Sequence, residues 1–284
     1  MAANVLIYSG PGTSSSAHDH ALRSLRRLLY PRYAVLPLTA HQLLHEPWPA
    51  TCAALVVPGG ADLAYCRSLN GPGNRRIRRY VVAGGAYFGL CAGGYYASAR
   101  CEFELGQPGK EVVGPRELAF FPGACRGLAF PGFEYGSEVG ARAAALRVDG
   151  PAPDRFRCYY NGGGAFVDAD AFADKGVEIL ARYEDDLAVD AGDAKAAVIY
   201  CRVGDGHILL LTPSSICRRR PESPRTFASK LQRCGRCHHR RRPIPHRVPS
   251  HLSDPARLMR SQRPPSGTLP LSSPPLCYRS IRRS

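Results

Sequence analysis

The stretch that decides the fold is Ala86-Tyr87-Phe88-Gly89-Leu90-Cys91-Ala92-Gly93-Gly94. Ala86 to Leu90 is an apolar run of strand length, and it leads directly into Gly89-Leu90-Cys91-Ala92-Gly93, a Gly-x-nucleophile-x-Gly turn. A turn of this form passes a strand into a helix and holds its central residue in a strained conformation. The flanking residues must be small because backbone crowds them. A helix starting after Cys91 points its N-terminus at the thiol and favours the thiolate. The N–H of Ala92 would then form half of an oxyanion hole, with Gly93 letting the backbone approach. The alternative is that Cys91 is a small buried core residue, a common fate of cysteine.

Upstream, the same alternation recurs. Val5 to Tyr8 reads as a buried strand, and the Gly- and Ser-rich loop Ser9 to Ser16 follows it. His18 to Leu29 is a helix, with Ala21, Leu22, Leu25, Leu28 and Leu29 at helical spacing. Tyr33 to Leu38 is a second strand and Ala53 to Val57 a third, ending at Pro58-Gly59-Gly60. Pro72 suits a helix start, and Asn74 to Val82 continues it with Ile77 and Val81 inward and Arg75, Arg76, Arg78 and Arg79 mostly outward. Strands alternating with helices at this spacing indicate an α/β fold: a flavodoxin-like parallel sheet with helices on both faces. Beyond Glu111, short runs (Phe156 to Tyr160, Val177 to Arg182, Ala196 to Arg202, His207 to Leu211) separated by Gly- and Asp-containing turns predict an antiparallel extension at the sheet edge. Two Gly-rich turns, at Cys91 and at Pro58-Gly59-Gly60-Ala61-Asp62, then fall at the carboxyl ends of neighbouring parallel strands, where such sheets bind ligands. Gly59 and Gly60 would offer backbone amides there.

The net charge of +15 over 284 residues suggests a polyanionic partner until its distribution is read. From Pro213 to Ser284 there are 17 Lys+Arg and 2 Asp+Glu, a surplus equal to the whole net charge. Residues 1–212 are therefore neutral, and no nucleic-acid partner is expected of them. The tail holds twelve prolines and twelve serines without apolar periodicity, so residues 213–284 read as a disordered basic segment. Within it, Cys234-Gly235-Arg236-Cys237-His238 has the spacing of a c-type haem attachment, and Cys234, Cys237, His246 and His251 are zinc-ligand types. Neither reading has an apolar core to support it, and no metal or cofactor is expected. No stretch approaches a membrane span, no signal peptide is evident, and the odd count of 11 cysteines argues for reduced thiols in a cytoplasmic protein.

Several segments together resemble the amino-terminal domain of fungal biotin–protein ligases. They are Tyr8-Ser9-Gly10-Pro11-Gly12, Val57-Pro58-Gly59-Gly60-Ala61-Asp62, Tyr65-Cys66-Arg67-Ser68-Leu69-Asn70-Gly71, Gly89-Leu90-Cys91-Ala92-Gly93-Gly94-Tyr95-Tyr96, Arg116-Glu117-Leu118-Ala119-Phe120-Phe121-Pro122-Gly123 and Tyr159-Tyr160-Asn161-Gly162-Gly163-Gly164. The resemblance runs from about residue 4 to residue 212. It implies a class I glutamine amidotransferase-like fold and makes Asp62, Arg67, Asn70 and Arg116 possible pocket residues. For each of these, and for Glu102, a loop-holding role is the alternative. Asn161-Gly162-Gly163-Gly164 either approaches a ligand by backbone or forms a tight turn.

Two departures bear on function. The resemblance implies a histidine and a glutamate just after the strand Ile208 to Leu211, but Thr212-Pro213-Ser214-Ser215-Ile216 stands there. His207 lies at the wrong end of that strand, and His18 and His20 are expected to face solvent. Without a base the thiol loses most of its activation. The ligase catalytic domain, with its adenylate-binding segment, is also missing, so biotin ligation is not expected. The abrupt change at Thr212 has the look of an out-of-frame extension. The reading is thus a non-catalytic module that binds a small molecule, an amide among the candidates, or packs on a biotin ligase domain held in another chain. The alternative is a cysteine-dependent glutamine amidotransferase or amidohydrolase.

Overall fold

A computed structural model describes residues 4–148 and 154–214. The amino-terminal part runs β1 (Asn4–Tyr8), α1 (Ser15–Leu29), β2 (Ala34–Leu38), α2 (Ala40–His45), β3 (Cys52–Val57), α3 (Asp62–Leu69), α4 (Pro72–Val82), β4 (Ala86–Leu90) and α5 (Ala92–Ala97). Then follow β5 (Ser98–Phe103), β6 (Val112–Pro115), β7 (Phe121–Gly127), β8 (Arg142–Val148), β9 (Asp154–Tyr160), β10 (Gly164–Phe166), β11 (Val177–Tyr183), β12 (Ala196–Val203) and β13 (Gly206–Leu211). The strands form one sheet in the order β2-β1-β3-β4-β13-β12-β10-β7-β5-β6, with β11, β8 and β9 branching from β12.

The sheet's parallel part is β2-β1-β3-β4-β13. Its strands are apolar on both faces because both faces are covered. Val5 and Ile7 of β1 join Ala21 and Leu25 of α1 on one side. Leu6 and Tyr8 join Leu43 of α2, Tyr65 and Leu69 of α3 and Ile77 and Val81 of α4 on the other. The period-two alternation of a strand sends adjacent residues to opposite layers, so the expected helices on both faces follow from β1 alone. From β13 onward the sheet turns antiparallel through β12, β10 and β7.

The differences from the sequence reading are local. The helix expected from His18 begins three residues earlier, after Ser14. α2 and α3 were not foreseen. α2 carries a full capping box, in which Thr39 Oγ1 accepts from Gln42 N–H and the Gln42 side chain accepts from Thr39 N–H; the Thr-x-x-Gln signal was there to be read. β13 is not at an edge: it lies between β4 and β12, which sets its last residue, Leu211, level with Leu90. Six of the described cysteines are free thiols. Cys158 is disulfide-bonded, which corrects the expectation of reduced thiols throughout. No helix of the described residues is long and apolar enough to cross a membrane. The basic tail with its haem-like and zinc-like spacings lies outside the described residues, apart from Pro213 and Ser214.

Candidate functional site around Cys91

Cys91 caps the N-terminus of α5 with φ 49° and ψ −107°, a left-handed conformation that L side chains rarely adopt. The surrounding backbone imposes it. Cys91 N–H donates to Leu211 O at 2.8 Å, and Cys91 O accepts from Gly94 N at 2.8 Å and Tyr95 N at 3.1 Å. The glycines are required by space: a Cβ at Gly93 would stand 2.1 Å from Val57 O, and one at Gly89 2.5 Å from Gly93 O. Strand β4 and its neighbours β3 and β13 therefore squeeze the turn from both sides, and the residue left at its apex is Cys91.

The sulfur is enclosed. Cys91 is 8% exposed. Its Sγ donates to Asn161 O at a long 3.9 Å, and the hydroxyl of Ser214 also reaches it. Burial pushes the thiol's pKa up. The Ser214 hydroxyl and the Ala92 N–H act against that rise, and the negative charge of Asp62 adds to it, with a net upward shift. Asn161 and Ser214 also hold each other: Asn161 N–H donates to Ser214 Oγ at 3.0 Å, and Ser214 Oγ–H donates to Asn161 O at 2.9 Å. Ser214 lies just past the end of β13, in the segment where the resemblance places a histidine. The Asn161-Gly162-Gly163-Gly164 turn packs against that segment, since a Cβ at Gly163 would meet Thr212 O at 2.1 Å. Asn161 Oδ1 is buried without a hydrogen-bond partner among the described residues.

The second Gly-rich turn lies alongside. A Cβ at Gly59 would sit 3.5 Å from Cys91 Cβ and 3.2 Å from Ala17 Cβ. Gly60, at φ 153°, leaves no room for a Cβ against Gly12 O. The turn is fastened to the first loop by Ser14 N–H to Gly59 O at 3.0 Å and Ala61 N–H to Gly12 O at 2.8 Å. Tyr65 donates its hydroxyl to Pro58 O at 3.0 Å from beneath. Gly59, Gly60, Cys91, Ala92 and Gly93 are thus assembled in one place.

The four polar residues named with them divide. Asp62 and Arg116 are both buried and form an ion pair, with Arg116 Nε and Nη2 each 2.7 Å from Asp62 Oδ2. Arg116 Nη1 also donates to Gly114 O and Pro115 O at 3.0 Å, so the pair ties the segment after β6 to the start of α3. Arg67 is exposed on α3. Asn70 caps that helix's far end, roughly 12 Å along its axis from Asp62, and its Oδ1 accepts from Asn74 Nδ2 at 3.0 Å. Glu102 bridges Arg100 at 2.8 Å and Arg126 at 2.7 Å.

Among the histidines, His20 is exposed and meets Tyr159 edge-on, with ring centroids 6.3 Å apart. His18 differs from expectation: its side chain is 16% exposed, and Nε2 is buried without a hydrogen-bond partner. It shares the inward stripe of α1 with Ala21 and Leu25, which is why it is not solvent-facing. His207 lies at the start of β13, level with Ala86, and its Nδ1 is 2.6 Å from Tyr200 Oη. Among the described residues no group of three or more His, Cys, Asp or Glu is arranged to hold a metal.

Comparison with known proteins adds the following. Residues 3–229 match the family described as "Biotin-protein ligase, N terminal", a match that continues past the boundary expected at residue 212. A biotin–protein ligase from Schizosaccharomyces pombe is 44% identical over 209 residues, covering 73% of this chain and 32% of that protein. An uncharacterized protein from Chlamydia muridarum is 38% identical over 212 residues, 74% of this chain and 78% of that one. The chain thus spans about a third of the yeast ligase and about three quarters of the bacterial relative. Among solved structures, a glutamine amidotransferase is similar with a TM-score of 0.45 at 20% identity, covering 72% of this chain and 88% of that one. A ThuA-like protein from Bacteroides uniformis gives 0.47 at 13%, covering 75% and 82%. By its match over most of its length, the chain belongs to the biotin–protein ligase N-terminal domain family.

Proposed function

We propose that this chain is a non-catalytic binding or regulatory module of its family, with a small-molecule site at Cys91 and no biotin ligase activity of its own. One observation carries the reading: the Cys91 sulfur is buried and held by Asn161 O and the Ser214 hydroxyl. A nucleophilic cysteine needs a base or a lowered pKa. A serine hydroxyl and a peptide carbonyl supply no base at neutral pH, and burial moves the thiol the other way. His207 is at the far end of its strand.

Support for a ligand comes from the assembled backbone. The Ala92 N–H acts on the thiol, Gly59 lies against Cys91 Cβ, and Asn161 Oδ1 is a buried acceptor with no partner among the described residues. Such a site suits a neutral N–H-bearing compound, a carboxamide among them. The bacterial relative, most of which this domain covers, supports a role separate from a ligase domain in the same chain. The yeast relative supports docking on a ligase domain supplied by another chain. Six free thiols among the described residues support a reducing, cytoplasmic setting, with the bonded Cys158 the exception.

The strained turn and the Ala92 N–H at the sulfur favour a second reading, a cysteine-dependent amidohydrolase. An electrophilic glutamine analogue separates the two. The expected result is labelling of Cys91 no faster than a free thiol, with no ammonia released from glutamine. Rapid labelling that Cys91→Ser abolishes would establish the enzyme instead.

A further inference from the structure

Beyond β2, helix α2 carries two imidazoles that the Cys91 site does not use. His41 and His45 are four residues apart and therefore lie on one face of the helix. Both are exposed, and their ring centroids stand 4.8 Å apart with the planes tilted by 46°. Neither makes a hydrogen bond or ion pair among the described residues. The backbone that spaces them is pinned at both ends. Thr39 and Gln42 close the capping box at the start of α2. At its end Leu43 is buried, Trp48 Nε1 donates to Leu43 O at 2.9 Å, and the Arg76 guanidinium donates to Glu46 O. Side-chain rotation is the freedom left to the pair, so little has to be ordered for the two rings to act together.

The spacing of the rings is that of two imidazoles sharing one metal ion. A metal–nitrogen bond of about 2.0–2.1 Å puts each ring centroid about 3.2 Å from the ion, and two rings at about 90–110° to each other then lie about 4.5–5.2 Å apart. We propose that His41 and His45 chelate a single transition-metal ion of borderline softness, of the class of Zn²⁺, Ni²⁺ or Cu²⁺, as a two-histidine surface site. Neutral imidazole suits these ions, whereas Mg²⁺ and Ca²⁺ take oxygen ligands. No third His, Cys, Asp or Glu is arranged with the pair among the described residues. Water or a group from another molecule therefore completes the coordination. The pair shares no residue with the Cys91 site, so the outcome at one leaves the other untouched.

The test is carbethoxylation of the full chain by diethyl pyrocarbonate, each histidine followed by tandem mass spectrometry. Zn²⁺ is added in molar excess over all 11 cysteines and 9 histidines. A coordinated ring nitrogen has no lone pair left to react. His41 and His45 are therefore expected to slow together by about tenfold near saturation, while His20, exposed on α1, stays within about twofold of its metal-free rate. Mg²⁺ at the same concentration leaves both rates unchanged. In His41→Gln, an exposed substitution that spares the capping box, Zn²⁺ no longer slows His45. The proposal is overturned by protection of one histidine without the other, by protection of His45 that persists in His41→Gln, by equal protection with Mg²⁺, or by no protection at all. Should the variant fail to fold, joint protection in the wild type decides.

Discussion

At Cys91 two requirements meet in one residue: the backbone conformation is costly, and the side chain is enclosed. The cost is sustained by neighbours with no room to yield. Gly93→Ala would drive a methyl into Val57 O, 2.1 Å away on a central strand. We expect it to destabilise the fold by about 3 kcal/mol or more in urea unfolding, since overpacking against backbone has no side chain to move. Gly59→Ala, with its nearest contact 3.2 Å away at Ala17 Cβ, should cost less than half as much. The partners of the sulfur were harder to foresee than the turn. Asn161 is seventy residues from Cys91 in sequence, and Ser214 stood inside what read as the start of a tail. No local pattern announces a carbonyl or hydroxyl brought in by strand order. Only the position of Ser214 just after β13 pointed to it.

At the scale of elements, buried ion pairs join pieces that the sheet leaves unconnected. Asp62 and Arg116 link α3 to the segment after β6 across 54 residues. Breaking a buried pair leaves an uncompensated charge, so Arg116→Met is expected to cost about 3–5 kcal/mol, measured as a lowered urea midpoint, while Asp62→Asn with Arg116→Met costs less than the sum. Glu102 of β5 instead reinforces a sheet pairing, bridging Arg126 on the neighbouring strand β7 as well as Arg100 on its own strand. Burial opposes its charge, but the hydrogen bonds of the two guanidiniums outweigh it and hold the carboxyl below the usual range. Its folded pKa being depressed, its contribution is full above the unfolded value, about 4.3, and is lost as pH falls through the folded one. The stability gap between wild type and Glu102→Gln should therefore close in acid, and a gap that is unchanged at pH 3 would refute this role. The long strands and helices were legible because periodicity reports burial directly. β5, β6, β7, β8 and β10 were not: β6 and β7 carry glycine and proline and β10 glycine, and all five owe their place to register with other strands. α3 is short, and its Tyr65 and Leu69 pair was the one signal.

For the molecule as a whole, the role proposed above is that of a module that works by binding. The chain covers 32% of the yeast ligase it resembles at 44% identity. We expect the purified chain to transfer no biotin to an acceptor protein in the presence of ATP, and transfer above the no-enzyme rate would contradict that. The central claim is that Cys91 is a positioned thiol without a base. The pH profile of its alkylation by iodoacetamide, read on the Cys91 peptide, tests this most directly. The account predicts one titration with a midpoint above that of an ordinary thiol, about 8.5, because burial raises the group and nothing described compensates it fully. A rate that stays on a plateau down to pH 6, the mark of a thiolate paired with an imidazolium, would contradict it.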